Sequence, residues 1–217
     1  MLARLQTDYV DLLFLHQPTD NWKAGYRNIE KAVKEGKVRS IGLSNFPEEL
    51  LREAIDWAEI KPQVVQVEAH PYFPQTELKK ILAETGMGLM AWSPIGHGDK
   101  NLIGEPVFTE LAVKYGKSNI QIILRWHIQS GNVVFPGSKN PDHIRDNFDI
   151  FDFSLTDEEM AAIAKVDKGS AIITQHRNWL RSMQRWNSAR ICKERGENNG
   201  KRTGSIFLRI WNREDRG

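Results

Sequence analysis

The first 170 residues alternate two patterns of hydrophobic and polar positions. Short, nearly continuous apolar runs are each followed by longer segments in which apolar residues return every three or four positions, the spacing of a helix with one buried face. The apolar runs predict strands over residues 9–16, 38–43, 64–69, 88–92 and 133–135. The longer segments predict helices over residues 21–35, 47–59, 77–85, 105–115, 118–130, 141–147 and 156–166. This alternation is typical of a parallel sheet covered by helices, so we expect an α/β fold.

Two local signals mark where helices start. Pro47 suits the first turn of its helix, because an N–H at that position has no partner within the helix. Thr156 with Glu159 matches a capping box, in which each side chain accepts a hydrogen bond from the backbone N–H of the other residue.

An open doubly wound sheet and a (β/α)8 barrel both fit this alternation. No GxGxxG motif follows any predicted strand, which weakens the case for a dinucleotide-binding open sheet. A barrel would instead collect functional side chains at the carboxyl ends of its strands.

Every predicted strand ends in residues that can hydrogen-bond, stack or hold an anion. In chain order these are His16-Gln17-Pro18, Ser44-Asn45, Gln66 with His70-Pro71-Tyr72, Trp92-Ser93-Pro94 and Gly137-Ser138-Lys139. Five such ends in succession on a parallel sheet predict one site at the mouth of a barrel.

The residue types at these strand ends indicate what the site binds. His16 can orient a polar substrate group. Asn45 and Gln66 carry amides, which suit another amide because each has donors and an acceptor. Trp92 offers a face for stacking, and the segment 137–139 before a helix start can hold a phosphate. Together they indicate a nicotinamide dinucleotide.

Each of these residues also has a structural explanation. His16 can be a core histidine whose hydrogen bonds are satisfied. Asn45 can be a turn residue or the N-cap of the helix at Pro47. Trp92 can belong to the core, and Ser138-Lys139 to a solvated loop. Gln66 is harder to explain in this way, because an unpaired buried amide is costly.

Composition excludes several other classes of protein. Apolar residues make up 40% and charged residues 27% of 217, as in soluble globular proteins. No apolar run reaches the roughly 18 residues of a membrane span, and the N-terminus lacks a secretory signal. Cys192 is the single cysteine, which favours a reducing compartment, so we expect a cytoplasmic protein. His70, His97 and His127 share no metal-ligand spacing, so we expect no metal site.

Charge divides the chain into two parts. Residues 1–170 hold 19 Lys and Arg against 24 Asp and Glu, whereas residues 171–217 hold 11 against 4. The basic C-terminal part contains three of the seven Trp residues and a possible short helix over 179–192. Such a tail can bind nucleic acid by phosphate contacts and stacking, although we do not favour that function.

Several segments together match one family. They are LARLQTDYVDLLFLHQP, GKVRSIGLSNF, PQVVQVEAHPYFPQ, GLMAWSPIG and VVFPGSKNPDHIRDNFDIFDF, in family order over residues 2 to about 169. The chain resembles the aldo-keto reductases. The resemblance implies a (β/α)8 TIM barrel with NADP(H) across its strand ends, and reduction of a small aldehyde or ketone by hydride transfer.

The resemblance also implies roles for individual residues. His16 matches the active-site histidine that orients the carbonyl. Ser44, Asn45 and Gln66 match the residues that hold the nicotinamide carboxamide, and Trp92 matches the stacking aromatic, usually Tyr. The pyrophosphate loop corresponds to Ser93, Ile95 and Asp99. The segment for adenine and the 2′-phosphate corresponds to Gly137, Ser138, Lys139, His143, Asp146 and Asn147.

Three departures from the family pattern change these expectations. Gly137 and His143 replace a Lys and an Arg of the 2′-phosphate segment, so NAD(H) is possible beside NADP(H), with Lys139 and Arg145 as substitute cations. No segment matches the part of the family that carries its catalytic Tyr, Lys and Asp. The match also ends near Gly169.

These departures lead to one expected architecture and two expected functions. We expect an N-terminally truncated member: an incomplete (β/α)8 barrel, roughly the last five strands with their helices, over residues 1–169, and an unrelated basic tail over 170–217. Carbonyl reduction is then impaired. The alternative is a non-catalytic remnant that binds a nucleotide or a partner. The substrate and the oligomeric state stay open.

Overall fold

The computed structural model of the chain describes residues 2–19 and 21–173. Its strands are β1 Val10–Leu15, β2 Val38–Ser44, β3 Val64–Glu68, β4 Gly88–Trp92 and β5 Asn132–Val134. Its α-helices are α1 Leu2–Leu5, α2 Trp22–Lys34, α3 Glu48–Trp57, α4 Thr76–Thr85, α5 Lys100–Ile103, α6 Pro106–Tyr115, α7 Asn119–Gln129, α8 Pro141–Phe148 and α9 Asp157–Ala164. The possible helix over 179–192 lies outside the described residues, as does the tail from residue 174 onward.

Every strand and helix predicted within the described residues is present, with ends that differ by a few residues. The capping box at Thr156 is confirmed, since Thr156 and Glu159 each bond the backbone of the other. The placement of Pro47 in the first turn was wrong by one residue: α3 begins at Glu48, and Pro47 stands before it with an extended ψ of 154°. Two four-residue helices, α1 and α5, escaped the sequence pattern because each is too short to show a period.

The sheet is parallel, and its strands lie in the order of the chain, β1-β2-β3-β4-β5. This order has no reversal of the kind that defines a doubly wound sheet. Phe14 pairs with Gly42 across β1 and β2. A Cβ at Gly42 would lie 2.4 Å from the Phe14 ring, so a larger residue would fit only if that ring moved. Because all five strands are parallel, their carboxyl ends lie at one edge of the sheet.

One face of the sheet packs against helices. Alternate residues of the central strands, such as Ile41, Val65 and Ala91, are fully buried in a core shared with α2, α3 and α4. On the other face, Gln66 and Trp92 are only partly buried, whereas Ser44, Glu68 and Met90 are buried. This second face carries the strand-end side chains. A second core, around Phe108, Ile122, Ile123, Trp126 and Ile163, joins α6, α7 and α9.

A buried carboxylate ties α2 to the chain that leads into β3. Glu30 is 2% exposed, and its Oε1 accepts hydrogen bonds of 2.9 Å from the N–H groups of both Glu59 and Ile60. Its Oε2 accepts from Arg27 at 2.6 Å. Burial acts to raise the pKa of Glu30, but these hydrogen bonds outweigh burial and hold the pKa below its usual range.

Glu30→Gln should lower the free energy of unfolding at pH 7 by about 1–3 kcal/mol, because the amide cannot match the charge-assisted bonds of the carboxylate. The native pKa is depressed, so its stabilisation is full above about pH 4.5 and is lost as the pH falls through the native pKa. Chemical denaturation should therefore show the two proteins converging in acid. A constant difference at every pH would contradict this assignment.

Candidate functional site

The parallel register brings polar side chains from neighbouring strands to one edge. Ser44 pairs with Gln66, and Glu68 pairs with Trp92. The pairing continues one residue past β2, where the Asn45 N–H donates to the Gln66 carbonyl at 2.9 Å. Ser44 and Asn45 therefore lie close to β3 and β4, at the point where β2 leaves the sheet.

Asn45 links Ser44 and Trp92 in a hydrogen-bonded chain. The Trp92 Nε1–H donates to Asn45 Oδ1 at 2.8 Å, and Asn45 Nδ2 donates to Ser44 Oγ at 3.1 Å. Because the indole N–H can only donate, it fixes which side of the Asn45 amide is oxygen. Within the described part of the chain, one N–H and one lone pair of that amide have no partner.

Asn45 is a turn residue and not an N-cap. Its φ is +58°, a left-handed conformation that asparagine adopts more readily than most residues. The N-cap of α3 is Pro47, and no side chain bonds there. The N-cap alternative was therefore wrong, because the Asn45 amide is already bonded to Trp92 and Ser44.

A pocket of about 260 Å³ opens beside this chain of hydrogen bonds. Asn45 and Trp92 lie on one side, and Ala171 and Ile173 contribute to its wall. The other lining residues are Phe46, Pro47, Glu48, Val67, Glu68, Phe73, Gln75 and Leu78. Trp92 is partly exposed here, so it is not a fully buried core residue.

His16 and Gln66 lie at the same edge of the sheet. Leu15 pairs with Leu43, so His16 leaves β1 where Ser44 ends β2. His16 is exposed, which excludes the core-histidine alternative. Gln66 is half-buried, and its side chain has no hydrogen bond to the described residues.

The loop after β4 takes an unusual path. Ser93 has a φ of +51°, and a short 3-10 turn, Gly96–Gly98, follows it. Asp99 then caps α5, since its Oδ1 accepts from the Leu102 N–H at 2.8 Å. Ile95 and Ser93 are partly exposed. The sequence pattern gave no sign of α5 or of this cap.

His127 supports the loop from the core. It is fully buried, its Nε2 donates to the Pro94 carbonyl at 2.9 Å, and its Nδ1 accepts from Asn132 at 3.0 Å. Burial is the main cause that lowers the pKa of His127 to about 3. The imidazole is therefore neutral at physiological pH, as the hydrogen bonds require.

The segment 137–147 forms a second group, at the end of β5. Asn140 caps α8 by accepting from the Asp142 N–H, and Ser138 Oγ accepts from the Asn140 N–H. Arg145 pairs with Asp142 at 2.9 Å, so it is already engaged. The remaining predicted residues are Gly137, Lys139, His143 and Asp146, all exposed, and Asn147, which donates weakly to Pro136. Among the described residues, no hydrogen bond joins this segment to Asn45 or Trp92.

Glu68 is a site residue that the sequence analysis did not select. It is 4% exposed, and its Oε1 accepts from the N–H groups of Ile172 at 2.8 Å and Ile173 at 2.9 Å. Buried His70 lies 3.1 Å from the same oxygen. Burial acts to raise the pKa of Glu68, but His70 and the two N–H groups hold it below its usual range. The sequence contained one sign of this role, because Glu68 is a carboxylate within a mostly apolar strand.

Two further classes of feature are absent from the described part of the chain. Within residues 2–19 and 21–173, no group of three His, Cys, Asp or Glu side chains could hold a metal ion. The helices in the same residues are all too short or too polar to cross a membrane.

The family model described as "Aldo/keto reductase family" matches residues 1–168. The chain belongs to this family. It is 43% identical over 176 residues to an aldo-keto reductase of Mycobacterium sp. (strain KMS) and 44% identical over 172 residues to glyoxal reductase of Bacillus subtilis (strain 168). The alignments cover 78% and 79% of this chain and 62% of each relative. The chain thus spans somewhat under two thirds of the curated relatives it matches.

Solved structures of aldo-keto reductases share the fold. One from Brucella melitensis is 41% identical, with a TM-score of 0.71 over 76% of this chain and 64% of that protein. A Bombyx mori aldo-keto reductase in complex with NADP is 32% identical, with a TM-score of 0.73 over 81% of this chain and 64% of that protein. Family membership and this likeness establish an α/β fold of the aldo-keto reductase type.

The buried His127 should make this aldo-keto reductase chain sensitive to mild acid. The unfolded imidazole gains a proton below about pH 6.5, whereas the native one stays neutral to about pH 3. The unfolded state then binds more protons, so stability falls as the pH falls. We expect this residue to account for a loss of about 2 kcal/mol in the free energy of unfolding between pH 7 and pH 5.

Denaturation of wild type and His127→Gln at both pH values checks this. The variant should be less stable at pH 7 but should lose less on acidification. Equal losses in the two proteins would show that His127 is not the source.

Proposed function

We propose that the chain is the nucleotide-binding part of an NADP(H)-dependent carbonyl reductase that acts on small aldehydes or ketones. The observation that carries this proposal is the hydrogen-bonded chain Ser44–Asn45–Trp92 beside the Gln66 amide, which bonds to no described residue, at the carboxyl edge of a parallel sheet. Membership of the aldo/keto reductase family supports it. The relatives named glyoxal reductase and methylglyoxal reductase, and the neighbour crystallised with NADP, support the substrate class and the cofactor.

Each residue has a defined task in this proposal. Ser44, Asn45 and Gln66 hold the carboxamide of the nicotinamide, using the amide hydrogens and lone pairs that bond to none of the described residues. Trp92 stacks on the ring, which transfers the hydride when the cofactor is bound. His16, exposed at the end of β1, orients the carbonyl of the substrate.

The remainder of the cofactor lies along the edge toward β5. Ser93, Ile95 and Asp99 border the pyrophosphate, with the Asp99 carboxylate acting through the start of α5 rather than by direct contact. Lys139 supplies a cation for a 2′-phosphate, since Arg145 is paired with Asp142. A site with one such cation accepts NADH as well as NADPH. Gly137, Ser138, His143, Asp146 and Asn147 complete this segment.

The architecture in the proposal is a (β/α)8 barrel to which residues 1–169 contribute five strands and their helices. The sequential order of the parallel strands supports it, because barrel strands follow each other in the same way. The basic tail of the proposal begins at residue 170, but its first residues bond to β3, because Ile172 and Ile173 donate to Glu68. The single Cys192 supports a cytoplasmic location.

The 217-residue chain by itself should bind nucleotide with little turnover, because none of its four tyrosines is placed to protonate an alkoxide. Tyr9 stands at the opposite end of β1 from His16. Tyr26 donates to the Ile60 carbonyl, Tyr72 to Glu105, and Tyr115 to Ser154 and Glu159. These contacts support the prediction of little turnover for the 217-residue chain.

Titration of the 217-residue chain with NADPH and with NADH, followed by calorimetry and by quenching of Trp fluorescence, tests the proposal. We expect both to bind, with no more than about a tenfold preference for NADPH, since one exposed cation contributes on the order of 1 kcal/mol. Addition of methylglyoxal should give little oxidation of NADPH. Rapid oxidation would show that another group supplies the proton, and absence of binding would refute the proposed function.

Trp92→Phe should weaken NADPH binding by about five- to tenfold. Phenylalanine keeps a ring for stacking but loses the N–H that orients the Asn45 amide, a loss of about 1 kcal/mol. Trp57→Phe is the matched control, because Trp57 packs against Trp22 and Tyr26 beneath α2 and away from the pocket. Calorimetry, which does not depend on Trp emission, measures both. Equal affinity in all three proteins would show that the indole N–H has no part in binding.

A further inference from the structure

Residues 168–173 return to the sheet after α9 and are fastened to it. The Lys168 N–H donates to the Tyr72 carbonyl at 3.0 Å. Four residues later, the N–H groups of Ile172 and Ile173 both donate to Glu68 Oε1. Two successive backbone donors thus converge on one carboxylate oxygen, across a separation of 104 residues.

The side chain of Ile172 packs closely against Gly96. A Cβ built on Gly96 would lie 2.6 Å from Ile172 Cδ1 and 2.7 Å from Leu102 Cδ2. Gly96 has a φ of +60°, so both its conformation and this close approach exclude a larger residue. Gly96 lies in the loop that follows Trp92, so its contact with Ile172 attaches the segment to the candidate site at this point too.

The residues on either side of Ile172 form part of the pocket wall. Ala171 and Ile173 line the same pocket as Asn45 and Trp92. Glu68 also lines the pocket, and it holds the wall in place by accepting hydrogen bonds from the N–H groups of Ile172 and Ile173. The position of the wall therefore depends on a carboxylate that is itself almost completely buried.

Burial makes this dependence reciprocal. A carboxylate that is 4% exposed needs hydrogen-bond donors, because solvent cannot stabilise its charge. His70 and the segment 172–173 provide them, and Glu68 Oε2 has no partner among the described residues. Loss of the segment would leave the charge poorly paired, so both partners favour the arrangement in which residues 172–173 bond to Glu68.

We propose that Glu68 is a positioning residue for nucleotide binding. It holds residues 171–173 in place as a wall of the pocket, and the affinity for NADPH depends on it through this wall. The inference rests on the proposed function and extends it to a residue on β3 that acts through the chain segment after Gly169.

The chain contains a matched control in Glu30. Glu30 is also buried and also accepts the N–H groups of two successive residues, Glu59 and Ile60, with one oxygen. It belongs to α2 and is not among the residues that line the pocket. Glu30→Gln and Glu68→Gln therefore remove the same kind of interaction, but only the second alters the wall.

The experiment compares wild type, Glu68→Gln, Glu68→Ala, Ile172→Ala and Glu30→Gln in the 217-residue chain. Hydrogen exchange followed by NMR reports the protection of the amides of residues 172 and 173, and calorimetry gives the Kd for NADPH. For Glu68→Gln we expect at least tenfold faster exchange at 172 and 173 and a Kd raised about five- to tenfold. Glu68→Ala should show larger effects, so that Gln partly rescues Ala. Glu30→Gln should speed exchange only at 59 and 60, with the Kd within twofold of wild type.

Each outcome bears on a distinct step. Unchanged exchange at 172 and 173 in Glu68→Gln would overturn the proposal, as would an equal rise of Kd in the Glu30 variant, which would indicate general destabilisation. If Glu68→Ala does not fold, Ile172→Ala tests the wall with Glu68 intact and should also raise the Kd. Failure of wild type to bind NADPH would refute the proposed function, whereas the exchange rates would still show whether Glu68 holds the segment.

Discussion

The parallel hydrogen-bond ladder between neighbouring strands determines where every other feature lies. It pairs Ser44 with Gln66 and Glu68 with Trp92, and it continues past β2 to Asn45. In a parallel sheet all strands end at the same edge, so residues that are more than twenty positions apart become neighbours without any loop having to direct them. The loops then need only leave the sheet in a suitable direction. Asn45 and Ser93 do so with left-handed backbone conformations directly after β2 and β4.

Local patterns predicted most of the secondary structure, because strands and helices are set by periodicity over a few residues. Strand-end polarity also placed Ser44, Asn45, Gln66 and Trp92 at one edge, since parallel pairing follows from the alternation of elements. The partners of those residues could not be predicted. Whether Asn45 caps a helix or bonds to Trp92 depends on the direction of a turn, and the roles of Asp99 and Glu68 depend on α5 and on a segment 104 residues away. The spacing of residues along the sequence does not show which distant segments come into contact.

Glu30 and Glu68 show one solution to the same physical problem. A carboxylate inside a protein must replace the water it loses, and two successive backbone N–H groups do this with little ordering cost because they already belong to a fixed chain. In both cases the acceptor is on a regular element and the donors are on an irregular one. The buried charge thereby gives an irregular segment a defined position, which apolar packing alone does not provide. His127 does the same without a charge, because its neutral ring donates to the Pro94 carbonyl and supports the loop after β4.

The contact between Glu68 and Ile172 also bears on the order in which the molecule assembles. Pairs such as β1 with β2 close loops of about thirty residues, whereas this contact closes a loop of 104. Loop closure costs more entropy as the loop grows, so the strands and their helices form before residues 171–173 have a surface to meet. We therefore expect the wall to be the last part to assemble and the first to open in local unfolding. Access to the pocket can change in this way while the sheet stays intact.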